Sequence, residues 1–360
     1  IHGKVYEITD FLEEHPGGAE IITDIDSHDI NAMTREFDEA EHSEDAWDDM
    51  EPLFRGVYVA EGEKDASDEI LAEAQVIEQH NSDEEDGNVS DGDSVVSESF
   101  YLPEFEGTVF GTRQEADLPL IDAEYLTHDV CVFRFGLPNE DDILGLPVGQ
   151  HIILSFAMDD GTMISRPYTP VSAQGEVGFV DFLVKLYPNG KMSNHLQSLN
   201  IGDTIHMKGP KGHLMYYGAG QFVVKKHIRS LRKIGMIAGG SGITPMFQVI
   251  KMVANEAEDD VELTLLFANK TADDIILWQQ LEEIAAQRRN FKVTYTLDNP
   301  PEDWEYNTGF ITKEMIQSNM PPPADDTMIL LCGPPPMVKK ACLPALKELG
   351  YERKKHFFTF

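Results

Sequence analysis

Cysteine is scarce in this chain: 360 residues contain three, Cys131, Cys332 and Cys342. An odd, widely spaced set makes no disulfide framework and has no metal-ligand spacing, so a reducing compartment is the expected setting. Long apolar runs are missing as well. Nothing approaches the ~20 consecutive apolar residues of a membrane helix, and no signal peptide is visible. Membrane attachment is therefore not encoded in this segment; the chain begins Ile1-His2 rather than with Met, which reads as a fragment. The expected location is the cytoplasm, or the cytoplasmic face of a membrane if an anchor lies upstream. Basic residues are few, 28 Lys and Arg against 64 Asp and Glu, for a net charge of −36. Such a chain repels nucleic-acid phosphates, which removes nucleic acid from the expected partners.

What is present suffices for two or three domains, since 41% of 360 residues are apolar. Residues 61–116 change character. The run Asn81 to Ser94 is acidic, small and nearly free of apolar residues, so it cannot offset its ordering entropy and reads as a disordered linker. Within it, Ile70, Leu71, Ala74 and Ile77 recur at helical spacing and predict one short helix over 68–79. Residues 117–226 read as short strands separated by turns such as Asp159-Asp160-Gly161 and Pro188-Asn189-Gly190. The strands are Val130–Phe135, His151–Phe156 and Gly178–Tyr187, a pattern that fits an antiparallel barrel. Residues 227–360 alternate apolar strands (Ile234–Ala238, Leu263–Ala268, Met328–Leu331) with helical stretches, as a parallel α/β sheet does.

Three blocks carry the chemistry. Arg166-Pro167-Tyr168-Thr169 sets a charge for a phosphate beside a ring able to stack on a flat cofactor. Gly239-Gly240-Ser241-Gly242 follows an apolar strand and opens a helix, so bare backbone N–H groups face a second phosphate. Cys332-Gly333-Pro334-Pro335-Pro336-Met337 follows the last long strand, and its prolines stiffen the turn. Gly190-Lys191-Met192-Ser193 precedes a further helix whose N–H groups also suit a phosphate. After the second strand of the α/β segment an acid, Asp274 or its neighbour Asp273, is placed to accept from ribose hydroxyls or to serve as a helix N-terminal charge. Upstream, His15-Pro16-Gly17-Gly18 holds an imidazole on a tight turn, and a second His-Ser pair begins at His42. His28 is a rival to either.

These blocks, in this order, resemble the ferredoxin-reductase superfamily, and within it the NADH:cytochrome b5 reductases. The first 60 residues resemble cytochrome b5. The resemblance implies a multidomain α+β and α/β chain with four segments. They are an N-terminally truncated cytochrome b5-like haem domain (1–60), the acidic linker (61–116), an antiparallel β-barrel FAD domain (117–226) and a parallel α/β NAD-binding domain (227–360). It implies haem b held by His15 and His42. It implies FAD held by Arg166, Pro167, Tyr168 and Thr169, by Val184, Lys185 and Tyr187, by Gly190, Lys191, Met192 and Ser193, and by Thr244. It implies NADH held by Gly239, Gly240 and Gly242, by Asp274, and by Cys332, Gly333, Pro334, Pro335 and Met337. Thr169 and Cys332 would position flavin and nicotinamide without a covalent intermediate. The terminal Phe357–Phe360 resembles the family's own ending. The expected partners are NADH and the haem or a downstream electron-acceptor protein. The basic run Lys225-Lys226-His227, with Arg229, Arg232 and Lys233, is a candidate dock for the acidic haem module. The same modules occur in the C-terminal half of assimilatory nitrate reductases, which is the alternative. A flavin reductase whose first module has lost haem is a third reading.

Overall fold

A computed structural model describes residues 4–6, 8, 54–57, 108–110 and 114–360 apart from 159, 226 and 257, with 4–6, 54–57, 114 and 354 as backbone only. The chain divides into two units, Ile1–Asp91 and Gly92–Phe360. In the first, strand β1 (Lys4–Tyr6) pairs antiparallel with β2 (Phe54–Val57), Lys4 opposite Val57 and Val5 opposite Gly56. His15, His28, His42, the helix expected over 68–79 and the acidic run to Ser94 lie outside the described residues.

The second unit opens with six antiparallel strands: β3 (Gln114–Tyr125), β4 (Val130–Gly136), β5 (His151–Ala157), β6 (Met163–Tyr168), β7 (Phe179–Lys185) and β8 (Thr204–Lys211). Their order is β6-β5-β8-β3-β4-β7. Alternate side chains point to one side of each strand. Leu118, Phe133, Leu154, Ile164, Phe182 and Met207 therefore meet in a single core drawn from all six strands. The outer strands β6 and β7 approach each other where the Tyr168 and Phe182 rings meet edge to face, centroids 6.4 Å apart. A sheet whose inner faces share one core and whose ends meet is the expected barrel. Helix α1 (Lys191–Ser198) follows β7. A small sheet of β9 (Leu214–Tyr216), β10 (Gln221–Val224) and β11 (His227–Ser230) comes next.

Two expected boundaries shift. Phe110 is fully buried in the barrel core and β3 begins at Gln114, so the described residues 108–110 and 114–116, read as the end of the linker, already belong to the barrel. The strand β11 pairs with β10, so residues 227–230 continue the preceding sheet and the α/β sheet starts at Lys233. The physical reason is that local composition marks polarity, whereas long-range pairing decides membership.

The α/β sheet consists of β12 (Lys233–Gly239), β13 (Glu262–Asn269), β14 (Phe291–Leu297), β15 (Asn307–Thr308), β16 (Thr327–Cys332) and β17 (Phe357–Thr359). All pairings are parallel, in the order β15-β14-β13-β12-β16-β17. Helices α2 (Ile243–Asn255), α3 (Trp278–Gln287), α4 (Lys313–Asn319), α5 (Leu343–Glu348) and α6 (Arg353–His356) connect the strands. Met236, Ile237, Leu330 and Leu331 are fully buried. Parallel strands covered on both faces need continuous apolar runs of this kind. Barrel residues Val130 and Leu183, with Tyr216 of the small sheet, pack into the same apolar cluster as Met236, Ile250 and Leu330, so the barrel and the α/β sheet are fastened through a shared core.

The basic run is partly committed to the fold. Arg229 donates to the carbonyls of Lys355 and Asp325 at 3.2 and 3.5 Å, and Arg232 faces Asp260 at 3.5 Å. Lys226 lies outside the described residues.

Candidate functional site

Along the α/β sheet the chain moves outward from β12 through β13 to β15, then returns to the other side of β12 for β16 and β17. The order reverses between β12 and β16. At such a point loops from neighbouring strands diverge and leave a crevice at the carboxyl ends of the strands. Both glycine-rich turns stand there, Gly239–Gly242 after β12 and Cys332–Pro336 after β16. They line a cavity of about 1260 Å³ whose opposite wall is the barrel: Arg166, Pro167, Tyr168 and Thr169 from β6 and the residues just after it, Lys185 and Tyr187 at the end of β7, and Gly190 to Ser193 at the start of α1. Every expected FAD and NADH residue named above lines it except Val184, which is buried in the barrel core behind β7. Strand alternation explains this: Lys185, one residue on, takes the opposite face.

The close approaches require glycine. A Cβ on Gly242 would strike the Cys332 carbonyl, and one on Gly239 would lie 2.7 Å from Met337 Sδ. One on Gly190 would lie 2.8 Å from Ser193 Oγ. Helix α1 starts at Gly190 with no side-chain cap. Its first hydrogen bond within the helix runs from Asn194 N–H to the Gly190 carbonyl, so the N–H groups of Lys191, Met192 and Ser193 are open to an anion. Ser193 Oγ is not spare, because it accepts from Tyr187 N–H at 3.1 Å. Arg166 donates to the Ser165 carbonyl at 2.7 Å and is exposed; no carboxylate among the described residues is paired with it. A guanidinium held by one neutral carbonyl keeps most of its donors for a phosphate. These features fit two phosphate-bearing cofactors, one at each phosphate-type turn.

Several ionisations are displaced. Burial pushes the Cys332 thiol up to about 12, leaving roughly one part in 10⁵ as thiolate at pH 7. That favours a packing and positioning role over a nucleophile. Burial also raises Tyr168, to about 12, so its ring stays neutral against the cavity. Lys185 is 2.8 Å from Asp129 and 3.9 Å from Asp274. At Asp129 burial works upward, but the hydrogen bond and charge of Lys185 outweigh it and hold the carboxyl below its usual range. His128, Asp129 and Asp274 bring ligand atoms within 4.8 Å of one another, but the Lys185 ammonium already supplies the cation there.

Asp274 faces the cavity and also serves as a helix N-terminal acid. Its Oδ2 accepts from Thr271 N–H and Oγ1 at 3.0 and 2.7 Å in a capping box. The alternative Asp273 does not line the cavity.

Three further cavity residues were not singled out by pattern. His151 begins β5, and burial, then His213 and Lys211, bring its imidazole down to about 4, so it is neutral at pH 7. Asp298 follows β14, where burial raises its carboxyl against the pull of Lys270. Phe310, after β15, is 79% exposed. A lone His in a strand, an acid in a turn and an exposed Phe have no local signature; only the shared strand ends gather them. Across strands ~4.8 Å apart, the line Cys332, Gly239, Lys270, Asp298, Phe310 runs the length of a dinucleotide.

Comparisons with known proteins identify the same three kinds of domain. Residues 117–216 match the family described as Oxidoreductase FAD-binding domain, 236–343 Oxidoreductase NAD-binding domain, and 1–59 Cytochrome b5-like Heme/Steroid binding domain. NADH-cytochrome b5 reductase 3 of Rattus norvegicus is 47% identical over 259 residues, covering 68% of this chain and 85% of that protein. A nitrate reductase [NADH] of Solanum lycopersicum is 38% identical over 381 aligned residues, covering all of this chain and 39% of that protein. Among solved structures, the cytochrome b5 reductase domain of Ulva prolifera nitrate reductase is similar, with TM-score 0.65 and 36% identity over 69% of this chain and 97% of that one.

Proposed function

The chain belongs to the NADH-cytochrome b5 reductase family, and from that premise we propose that it draws electrons from NADH through FAD to a bis-histidine b-type haem in its own first module, and on to a protein acceptor. The carrying observation is that the flavin-type motif and both nicotinamide-type turns face one another across one cavity. When bound, FAD supplies the change from a two-electron donor to one-electron delivery, and haem the one-electron relay.

The protein's part is placement. Arg166 and the open N–H groups at the start of α1 hold the FAD phosphates, Tyr168 and Tyr187 flank its ring and ribityl chain, and Lys185 borders it. The turn Gly239–Gly242 admits the NADH pyrophosphate, with Thr244 reaching the flavin from the same helix. Cys332, Gly333, Pro334, Pro335 and Met337 bound the nicotinamide, and Thr169 bounds the flavin edge. Asp274 and Asp298 at the adenosine end disfavour the extra phosphate of NADPH, which supports NADH as donor. The haem ligands in this reading are His15 and His42. Three free cysteines support a cytoplasmic setting. No helix among the described residues is long and apolar enough to cross a membrane.

An anaerobic visible spectrum of the chain loaded with haem and FAD tests the path. NADH bleaches the flavin, sharp reduced-haem bands follow, and His15→Ala abolishes only the second step. A flavin that stays oxidised overturns the proposal. A second reading, the electron-transfer portion of a larger nitrate reductase, is favoured by the alignment with the tomato enzyme across all of this chain. Sequence upstream of Ile1 encoding a molybdenum domain would decide for it.

A further inference from the structure

Helix α2 begins at the glycine turn, and Thr244, Gln248 and Lys251 are four and then three residues apart, so they share one face. Thr244 reaches the cavity. Gln248 bridges two separate points of the barrel: its Oε1 accepts from Gly149 N–H at 3.0 Å, and its Nε2 donates to the Pro170 carbonyl at 3.3 Å. Lys251 Nζ donates to the next carbonyl, Val171, at 3.2 Å. Pro170 and Val171 follow directly on Thr169, and Gly149 lies two residues before His151. Two of the barrel segments that border the cavity are thus tied to the helix that carries the glycine turn.

The shared apolar cluster holds the two sheets together but does not set their angle, since burial is non-directional. Hydrogen bonds weaken steeply as their angle closes, so a carboxamide bonded at both ends fixes rotation and sliding between the layers. Gly149 has φ +93, and a Cβ there would strike Leu214. That segment therefore cannot shift freely to follow the helix.

We propose that Gln248, supported by Lys251, is a positioning residue that sets the spacing and angle between the flavin-bearing barrel and the nicotinamide-bearing turn. This rests on the reading that NADH reduces a flavin in the cavity. Each cofactor is held mainly by its own sheet, so loss of the bridge leaves both binding steps and damages only the step that needs the two together. A misplacement of the order of 1 Å costs up to ~10²-fold in rate, and the shared core limits the movement, so a roughly tenfold loss is expected.

The test uses the FAD-loaded chain and Gln248→Met, which keeps length and helix propensity but removes both bonds. In single-turnover bleaching at saturating NADH the limiting rate falls roughly tenfold, while FAD content and the NAD⁺ dissociation constant of the oxidised protein stay at the wild-type values. Hydrogen exchange of the peptide containing Gly149 becomes faster, because its amide has lost its acceptor. Lys251→Met, which removes one bond, gives the same pattern in smaller measure and serves if the first variant does not fold. An unchanged limiting rate per bound FAD overturns the proposal. So does a loss of FAD or NAD⁺ binding that accounts for the whole rate loss, since that is the mark of general destabilisation. Failure of the wild-type flavin to bleach with NADH would instead overturn the reading beneath it.

Discussion

The closest fit in the cleft is Gly242 against the turn after β16, and it yields the sharpest prediction. A Cβ at Gly242 would collide with the Cys332 carbonyl oxygen, lie 2.5 Å from the Cys332 carbonyl carbon and 2.9 Å from Gly333 N. All three are backbone atoms, so no side-chain rotation relieves the overlap. Ordinary carbon contacts are about 3.5–4.0 Å, so Gly242→Ala must drive the two turns apart by roughly 1 Å. Overpacking of this kind costs about 1–3 kcal/mol, and a shift of that size at the nicotinamide wall costs up to ~10²-fold in hydride transfer. Anaerobic stopped-flow bleaching of the flavin by NADH, alongside a thermal melt, reads both effects. Gly161→Ala is the comparison: its φ is +85 but nothing lies within 4 Å, so only backbone strain of about 1–2 kcal/mol is added, with no effect on bleaching. If Gly242→Ala reduces its flavin at the wild-type rate and NADH dependence, the approach of the two turns is not what shapes the nicotinamide site.

Titration of His151 gives a pH prediction for the protein without cofactors. Its folded pKa, about 4, lies below the ordinary 6.5, so the unfolded chain takes up the proton first. Stability is full above pH 6.5 and is lost as pH falls towards 4, by about 3 kcal/mol at most; the melting temperature of His151→Gln should fall less across that window. Cys332, with its thiol near 12, predicts no thiolate limb in the pH profile of flavin reduction between pH 6 and 9, and Cys332→Ala should slow the step without changing that profile. At the adenosine end, Asp298→Ala should relax discrimination against NADPH more than Asp274→Ala, because one Asp274 oxygen is already held by Thr271; kcat/KM for the two dinucleotides measures it. Lys185→Met leaves Asp129 and Asp274 facing each other without their cation, and a stability loss of about 1–3 kcal/mol in a denaturant melt is expected.

Much of this was written locally. Apolar runs such as Met328–Leu331 and the alternation in Val130–Phe135 name their own strand type, because a doubly covered strand and a half-covered one bury different side chains. The turns at Gly239–Gly242 and Cys332–Pro336 announce themselves because only glycine and proline serve where backbones crowd or must be stiff. The family could therefore be read from three short blocks. Other features needed the fold. The resemblance places Val184 with the cofactor residues, yet strand alternation turns its side chain into the core while Lys185 faces the cleft. The pairing of β11 with β10, rather than with the α/β sheet, depends on partners that no local window contains. His151, Asp298 and Phe310 carry no motif, and they join the site only because separate strand ends converge there. Sequence determines what each segment can be through interactions a few residues long; which lone side chains become a site is decided by contacts between segments a hundred residues apart.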